Sequence, residues 1–145
     1  MKLTSPSFGH NQLMPKKFTC DGEDVCPALE IQDVPAQARS LALIVDDPDA
    51  PMGTWVHWVV YDIPLIPVIS ENSIPGKQGS NNFGRKDYGG PCPPSGTHRY
   101  FFKLYALDKK LEAKEGLSKQ ELEKAMQGHI LDKAELIGLY KRTKG

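Results

Sequence analysis

Three runs of the chain carry apolar residues at the density and spacing of strands. Ser40 to Val45, Trp55 to Ile63 and Arg99 to Leu107 are rich in aliphatic and aromatic side chains and are bounded by turn formers. The second, WVHWVVYDI, is apolar on both alternating faces, the pattern of a central strand packed between two layers. In the third, Tyr100, Phe102 and Leu104 share one face while Phe101, Lys103 and Tyr105 share the other, so this strand is also expected to be central. Burying both runs demands a sandwich or a closed sheet. Weaker strand signals lie at Leu13 to Thr19 and Ala28 to Ile31.

After Leu107 the pattern changes: charged residues and helix formers dominate and proline disappears. Ser118 and Glu121 make a capping box, Leu122, Ala125 and Met126 form an apolar stripe, and Gly128 fits the stop, which predicts a helix over Lys119 to Gln127. The segment HILDKAELIGLYKR fits a helix and a strand equally well. Two stretches, Pro64 to Lys86 and Lys86 to Thr97, read as long loops. In the second, Pro91, Pro93 and Pro94 restrict the backbone while Gly89, Gly90 and Gly96 allow unusual dihedrals, so this loop is expected to be shaped.

Composition narrows the function classes. With 145 residues the chain has the size of one domain, spanning 1–145. Eighteen basic residues balance eighteen acidic ones, so no net field draws the protein to nucleic acid or an anionic membrane. Anion selectivity must then come from a local pocket. No run is long and apolar enough for membrane insertion, and Met1 to Leu13 lacks the features of a signal peptide, so the expected location is cytoplasmic. Cys20, Cys26 and Cys92 have no paired zinc-type spacing and are read as free thiols, with a Cys20–Cys26 bridge as the alternative.

Two clusters carry candidate chemistry, DDPDAP at Asp46 to Pro51 and GPCPPSGTHRY at Gly90 to Tyr100. Each places polar groups at a strand end, where a rigid sheet lets side chains converge and loops supply free backbone N–H groups. His57 sits among bulky apolar residues and needs a partner. Asp47 or Asp49 is the natural one, and such a pair would hold the imidazole partly cationic. His98 and Tyr100 share a face and offer two donors, whereas Arg99 points away, toward an ion pair or a rim contact.

At these two clusters the sequence resembles the phosphatidylethanolamine-binding protein family, which includes the Raf kinase inhibitor proteins. DPDAP and GPCPPSGTHRY match its two signatures, and the likeness runs from about Phe18 through TCDGED and SLALIVDDPDAPMGTWVHWVVYDIP to ELIGLYKR, nearest to the small bacterial and archaeal members. The resemblance implies a mainly β fold, a Greek-key-like antiparallel β-sandwich with one or two short helices, and a strand for HILDKAELIGLY. It implies a small cavity for phosphate or a phosphorylated headgroup, with Asp47 and Asp49 as the acidic pair, His57 and His98 as the pocket histidines, Tyr100 as the pocket tyrosine and the Cys92 N–H as the amide donor. LEIQDVP departs from relatives that carry tryptophan in place of Ile31 or Gln32, and Cys26 stands where serine is usual.

The leading expectation is a binding protein for a small anion, regulatory in character, with no cofactor, no metal and no catalysis. A hydrolase or lyase using the Asp/His pocket, or Cys92 as a thiol nucleophile, is the enzymatic alternative. A zinc or manganese site on the two histidines and two aspartates is a third reading, and inhibition of a protease or kinase through the Ser70 to Phe83 loop a fourth. A homodimer paired through the terminal strand is expected.

Overall fold

The computed structural model describes residues 1–142, so the last three residues of the expected domain lie outside it. Nine strands and one helix follow in the order β1 (Lys2–Thr4), β2 (Gln12–Leu13), β3 (Leu29–Gln32), β4 (Ser40–Asp47), β5 (Trp55–Ile63), β6 (Val68–Ile69), β7 (Lys77–Gln78), β8 (His98–Leu107), α1 (Lys119–Met126) and β9 (Ile130–Tyr140). A three-stranded sheet, β1-β3-β6, faces a six-stranded sheet, β2-β9-β8-β4-β5-β7, and neither closes on itself.

The long apolar runs form the middle of the larger sheet because each must be covered on two sides. All eight residues of β4 are buried. Leu41, Leu43 and Val45, with Trp58, Val60, Phe102 and Leu104, pack against Leu3, Leu29, Ile31 and Ile69 of the smaller sheet. On the opposite face Ala42, Ile44, Val56, Val59 and Tyr61 pack under Leu117 and under Leu122 and Met126 of α1. Each fully buried Leu or Val contributes about 1.5–3 kcal/mol. The result is a small sheet, a large sheet and a helix, stacked in that order.

The helix starts as its capping box requires: Ser118 Oγ accepts from the Glu121 N–H at 3.1 Å while Glu121 Oε1 accepts from the Ser118 N–H at 2.9 Å. Gly128, at φ +82°, turns the chain into β9. His129 to Tyr140 is thus strand from Ile130 onward, pairing antiparallel with β8 along its length.

Several expectations change. Leu13 to Thr19 is no strand: β2 ends at Leu13, Pro15 cannot donate to a ladder, and Lys16–Phe18 winds into a 3₁₀ turn. The β2–β9 pair is parallel, so the larger sheet is mixed at one edge. The stretch Pro64 to Lys86 contains β6 and β7, which extend the two sheets. The cysteines are not all free: Cys20 and Cys92 form a disulfide, S–S 2.11 Å and Cα–Cα 5.4 Å, and Cys26 is the buried free thiol.

Candidate functional site

The site begins with a fault in the β4–β5 ladder. Val45 pairs with Trp58 and Asp46 with Val56, so His57 is the extra residue of a β-bulge. A bulge re-aims the side chain it carries. Here the His57 carbonyl accepts from the Gly89 N–H at 3.0 Å and from Asn81 Nδ2 at 3.4 Å. Its ring Nδ1 meets the Gly89 carbonyl oxygen at 2.7 Å. A carbonyl can only accept, so Nδ1 carries the hydrogen and Nε2 is left as the free ring position. A Cβ at Gly89 would stand 2.5 Å from the Phe83 ring, so a larger residue there must displace that ring.

Asp47 closes β4 and uses both carboxylate oxygens. Oδ1 accepts from the Asp49 N–H at 2.7 Å, fixing the DDPDAP turn. Oδ2 meets His98 Nδ1 at 2.6 Å, a buried ion-pair geometry at the start of β8. The expected Asp–His pair therefore exists, but between Asp47 and His98; the partner of His57 is a backbone carbonyl. Asp49 points the other way. It receives the Arg99 guanidinium in a two-point ion pair, Nε–Oδ2 2.9 Å and Nη2–Oδ1 2.8 Å, on the outer rim. Asp49 does not line the pocket, and Arg99 is the rim ion pair expected of it.

Cys92 forms the facing wall, tied by its disulfide to the turn at Cys20 and by the Cys20 N–H to the Pro91 carbonyl at 3.1 Å. A nucleophilic Cys92 thiol does not exist while this bond is intact. Asp47, His57, Cys92, His98 and Tyr100 converge on one cavity of about 310 Å³. Its mouth is apolar: Ala50, Pro51, Met52, Trp55, Phe83, Pro93 and Pro94 complete the lining. Trp55 and Phe83 meet edge to face with centroids 5.5 Å apart, and Phe83 also packs on His57 at 5.3 Å. The sequence reading missed this rim. Met52 and Trp55, apolar residues directly after the DPDAP turn, were the signal available in the sequence.

Burial sets the state of His57 and of Tyr100. Burial lowers the His57 pKa from its usual value, opposed by the Gly89 carbonyl and by Asp47, so this ring is neutral at neutral pH. That corrects the partly cationic ring expected from an aspartate partner. Burial, reinforced by Asp47, pushes the Tyr100 phenol well above its ordinary range, while the nearby Cys92 amide favours the ionised form without meeting hydrogen-bond geometry. Tyr100 is therefore a donor, and its buried hydroxyl has no hydrogen-bond partner among the described residues. No group of three or more His, Cys, Asp and Glu side chains is arranged to hold a metal among the described residues.

The model of the family described as phosphatidylethanolamine-binding protein matches residues 4–141. The chain belongs to the phosphatidylethanolamine-binding protein family. It is 47% identical to a UPF0098 protein of Methanothermobacter thermautotrophicus, over 98% of this chain and 99% of that one. It is 49% identical to a UPF0098 protein of Pyrococcus horikoshii, over 95% and 75%. Among solved structures, a phosphatidylethanolamine-binding protein homologue of Chlamydia trachomatis superposes with a TM-score of 0.95 at 43% identity, covering 98% and 97% of the two chains. Escherichia coli YbcL, described as a new member of the mammalian PEBP family, gives 0.90 at 27% identity, with 98% coverage of each. The family fold, expected from the two signatures, is the fold of this chain.

Proposed function

We propose that this protein binds a small phosphate-type anion in the cavity between the DDPDAP turn and the GPCPPSG loop. One observation carries the reading: the Tyr100 hydroxyl is buried, un-ionised and unpartnered in a hollow that it shares with two imidazoles whose Nδ1 atoms are already engaged. A buried donor without an acceptor costs roughly 1–3 kcal/mol, and an oxyanion would satisfy it. The Cys92 N–H, which has no acceptor among the described residues, supplies a second donor, and His98, whose Nδ1 is taken by Asp47, leaves its Nε2 for the ligand. Asp47 acts behind the imidazole, much as carboxylates orient metal-bound histidines.

Calorimetric titration with inorganic phosphate tests this. Binding is expected, weakened about tenfold or more by His98→Ala and by Tyr100→Phe, each of which removes one charge-assisted or buried hydrogen bond. Absence of binding at millimolar phosphate, or variants that bind unchanged, would refute it. In this reading the pocket does not turn its ligand over; phosphomonoester hydrolysis that disappears in His98→Ala would make the protein an enzyme instead.

No helix is long and apolar enough to cross a membrane among the described residues. Cytoplasmic localisation belongs to the proposal and requires that the Cys20–Cys92 bond withstand a reducing poise, as intracellular disulfides of hyperthermophiles do. A homodimer also belongs to it. β2 pairs with β9 only at Gly138 and Leu139, and Ile130 and Leu131 at the other end of β9 are exposed. Light scattering that finds only monomer at high micromolar concentration would remove the dimer.

A further inference from the structure

We propose that the Cys20–Cys92 bond is a thiol-exchange site of fixed polarity: an external small thiol adds to Cys20, Cys92 is released into the pocket wall, and the state of the bond sets how firmly the pocket holds its ligand. The last clause rests on the anion-binding reading above; the exchange chemistry does not.

The two sulfurs belong to residues in unlike places. Cys20 follows the 3₁₀ turn Lys16–Phe18 and is exposed, so solvent reaches the bond from its side. Cys92 is half-buried between Pro91 and Pro93, both buried, and lines the cavity. Exchange begins with a thiolate attacking one sulfur, and access decides which one. Cys92 is also placed to leave. Tyr100, whose buried hydroxyl has no partner among the described residues, lies beside the Cys92 main chain and shares its cavity, so an unused donor stands in the hollow where the thiolate emerges. Hydrogen bonding to the thiolate lowers its pKa, and a leaving group of lower pKa departs faster. Asp47, the carboxylate of the same hollow, has both oxygens engaged, by the Asp49 N–H and by His98 Nδ1. The third cysteine cannot compete. Cys26 is buried with its Sγ toward the Ser70 and Ser73 carbonyls at 3.9 and 3.6 Å, and burial pushes its thiol up, so it stays protonated. The attacking thiol must come from outside.

In the first step a thiolate RS⁻ bonds to Cys20 Sγ, the bond to Cys92 breaks, and its electron pair stays on Cys92, which then takes a proton from water. The loops do not part, because the hydrogen bonds from the Cys20 N–H to the Pro91 carbonyl and from the Gly90 N–H to Asp24 Oδ1 remain. Cys92 therefore stays close enough to expel RS⁻ and close the bond again. A second RS⁻ that attacks the external sulfur of the mixed disulfide yields RSSR and leaves both cysteines reduced. In the open state the Cys92 N–H, a donor of the pocket, has lost its covalent tether, which is why ligand binding weakens.

Cysteamine tests the polarity, because it is small and its positive charge keeps it from acting as an anion ligand. Oxidised wild-type protein is held in excess cysteamine under native conditions, quenched with acid, alkylated with N-ethylmaleimide and mapped by mass spectrometry. The rate of opening should rise in proportion to the thiol concentration. Cysteamine on Cys20 with maleimide on Cys92 should outnumber the reverse isomer about tenfold or more. A rate independent of thiol concentration would mean that the bond opens only through unfolding, and overturns the proposal. So does an adduct on Cys92, or equal amounts of the two isomers. Phosphate titrations of oxidised and phosphine-reduced protein read the consequence: reduction should weaken binding about threefold or more, the loss expected when one donor is no longer preorganised. Equal affinity in the two states overturns the control of the pocket. Phosphate bound by neither form removes the anion reading and that control together, while the position of the adduct still decides the exchange.

Discussion

Reduction of the Cys20–Cys92 bond tests how the pocket wall is held. The two cysteines are 72 residues apart, and closing a loop of that length removes unfolded-state entropy equivalent to about 4 kcal/mol. The native contacts around the bond are not lost with it. The Cys20 N–H still reaches the Pro91 carbonyl at 3.1 Å, the Gly90 N–H still reaches Asp24 Oδ1 at 2.8 Å, and the Tyr88 hydroxyl still reaches the Phe18 carbonyl at 2.8 Å. The reduced protein should therefore keep its fold and lose roughly 2–5 kcal/mol. With a urea dependence of about 2 kcal/mol per molar for a domain of this size, the midpoint should fall by about 1–2.5 M. Urea titrations of oxidised and phosphine-reduced protein, and of a Cys20→Ser/Cys92→Ser variant, measure it. Unreduced protein should expose one reactive thiol on unfolding, that of Cys26. Three thiols, or equal midpoints once the bond is shown to be broken, would refute the reasoning.

Two further outcomes follow from local geometry. A Cβ at Gly138 would sit 2.5 Å from Met14 Cγ and 2.9 Å from the Phe8 ring, so Gly138→Ala should overpack the seam between β2 and β9 and cost about 1–3 kcal/mol in a thermal melt; an unchanged melting temperature would show that the seam yields freely. Stability should also respond to acid in two steps. The folded pKa of His57 lies below 6.5, so below that pH the unfolded chain takes up a proton that the folded one refuses; stability is full above pH 6.5 and declines beneath it. Asp49, held low by the Arg99 hydrogen bond, and Asp21, held low by the Tyr140 hydroxyl, contribute stability above about pH 3.8 that is lost as acid protonates them. His57→Phe should flatten the first step alone, and a first step of the same size in that variant would assign it elsewhere.

What the sequence reveals and what it hides divide along physical lines. Trp55–Ile63 has the boundaries expected of it because both faces are buried and turn formers stop it at each end. The helix is legible because Ser118 and Glu121 satisfy local backbone groups that no distant residue supplies. β1, β6 and β7 are two or three residues long, too short for a periodic pattern, and exist because partner strands elsewhere offer backbone hydrogen bonds. The disulfide joins positions with no local spacing rule, and only the fold makes them neighbours. That Asp47, His57, Cys92, His98 and Tyr100 share one hollow was legible; the apolar rim, the outward turn of Asp49 and the pairing of the histidines were not. Alternation along a strand assumes one residue per step, and the extra residue at His57 breaks that assumption.

That broken step gives the two histidines separable roles, which Asp47→Asn can test. The substitution removes the charge behind His98 but keeps an oxygen for the Asp49 N–H, so the turn should hold. His57 takes its tautomer from Gly89, which the change does not touch. Phosphate affinity should fall about tenfold, the loss expected when a buried charge-assisted hydrogen bond of about 1.5–3 kcal/mol is reduced to a neutral one. The acid step in stability assigned to His57 should persist, because the burial that causes it and the Gly89 carbonyl that holds the ring are untouched. A variant that loses that step along with the affinity would mean that the two rings act as one unit, and that the bulge does not insulate His57 from the Asp47–His98 pair.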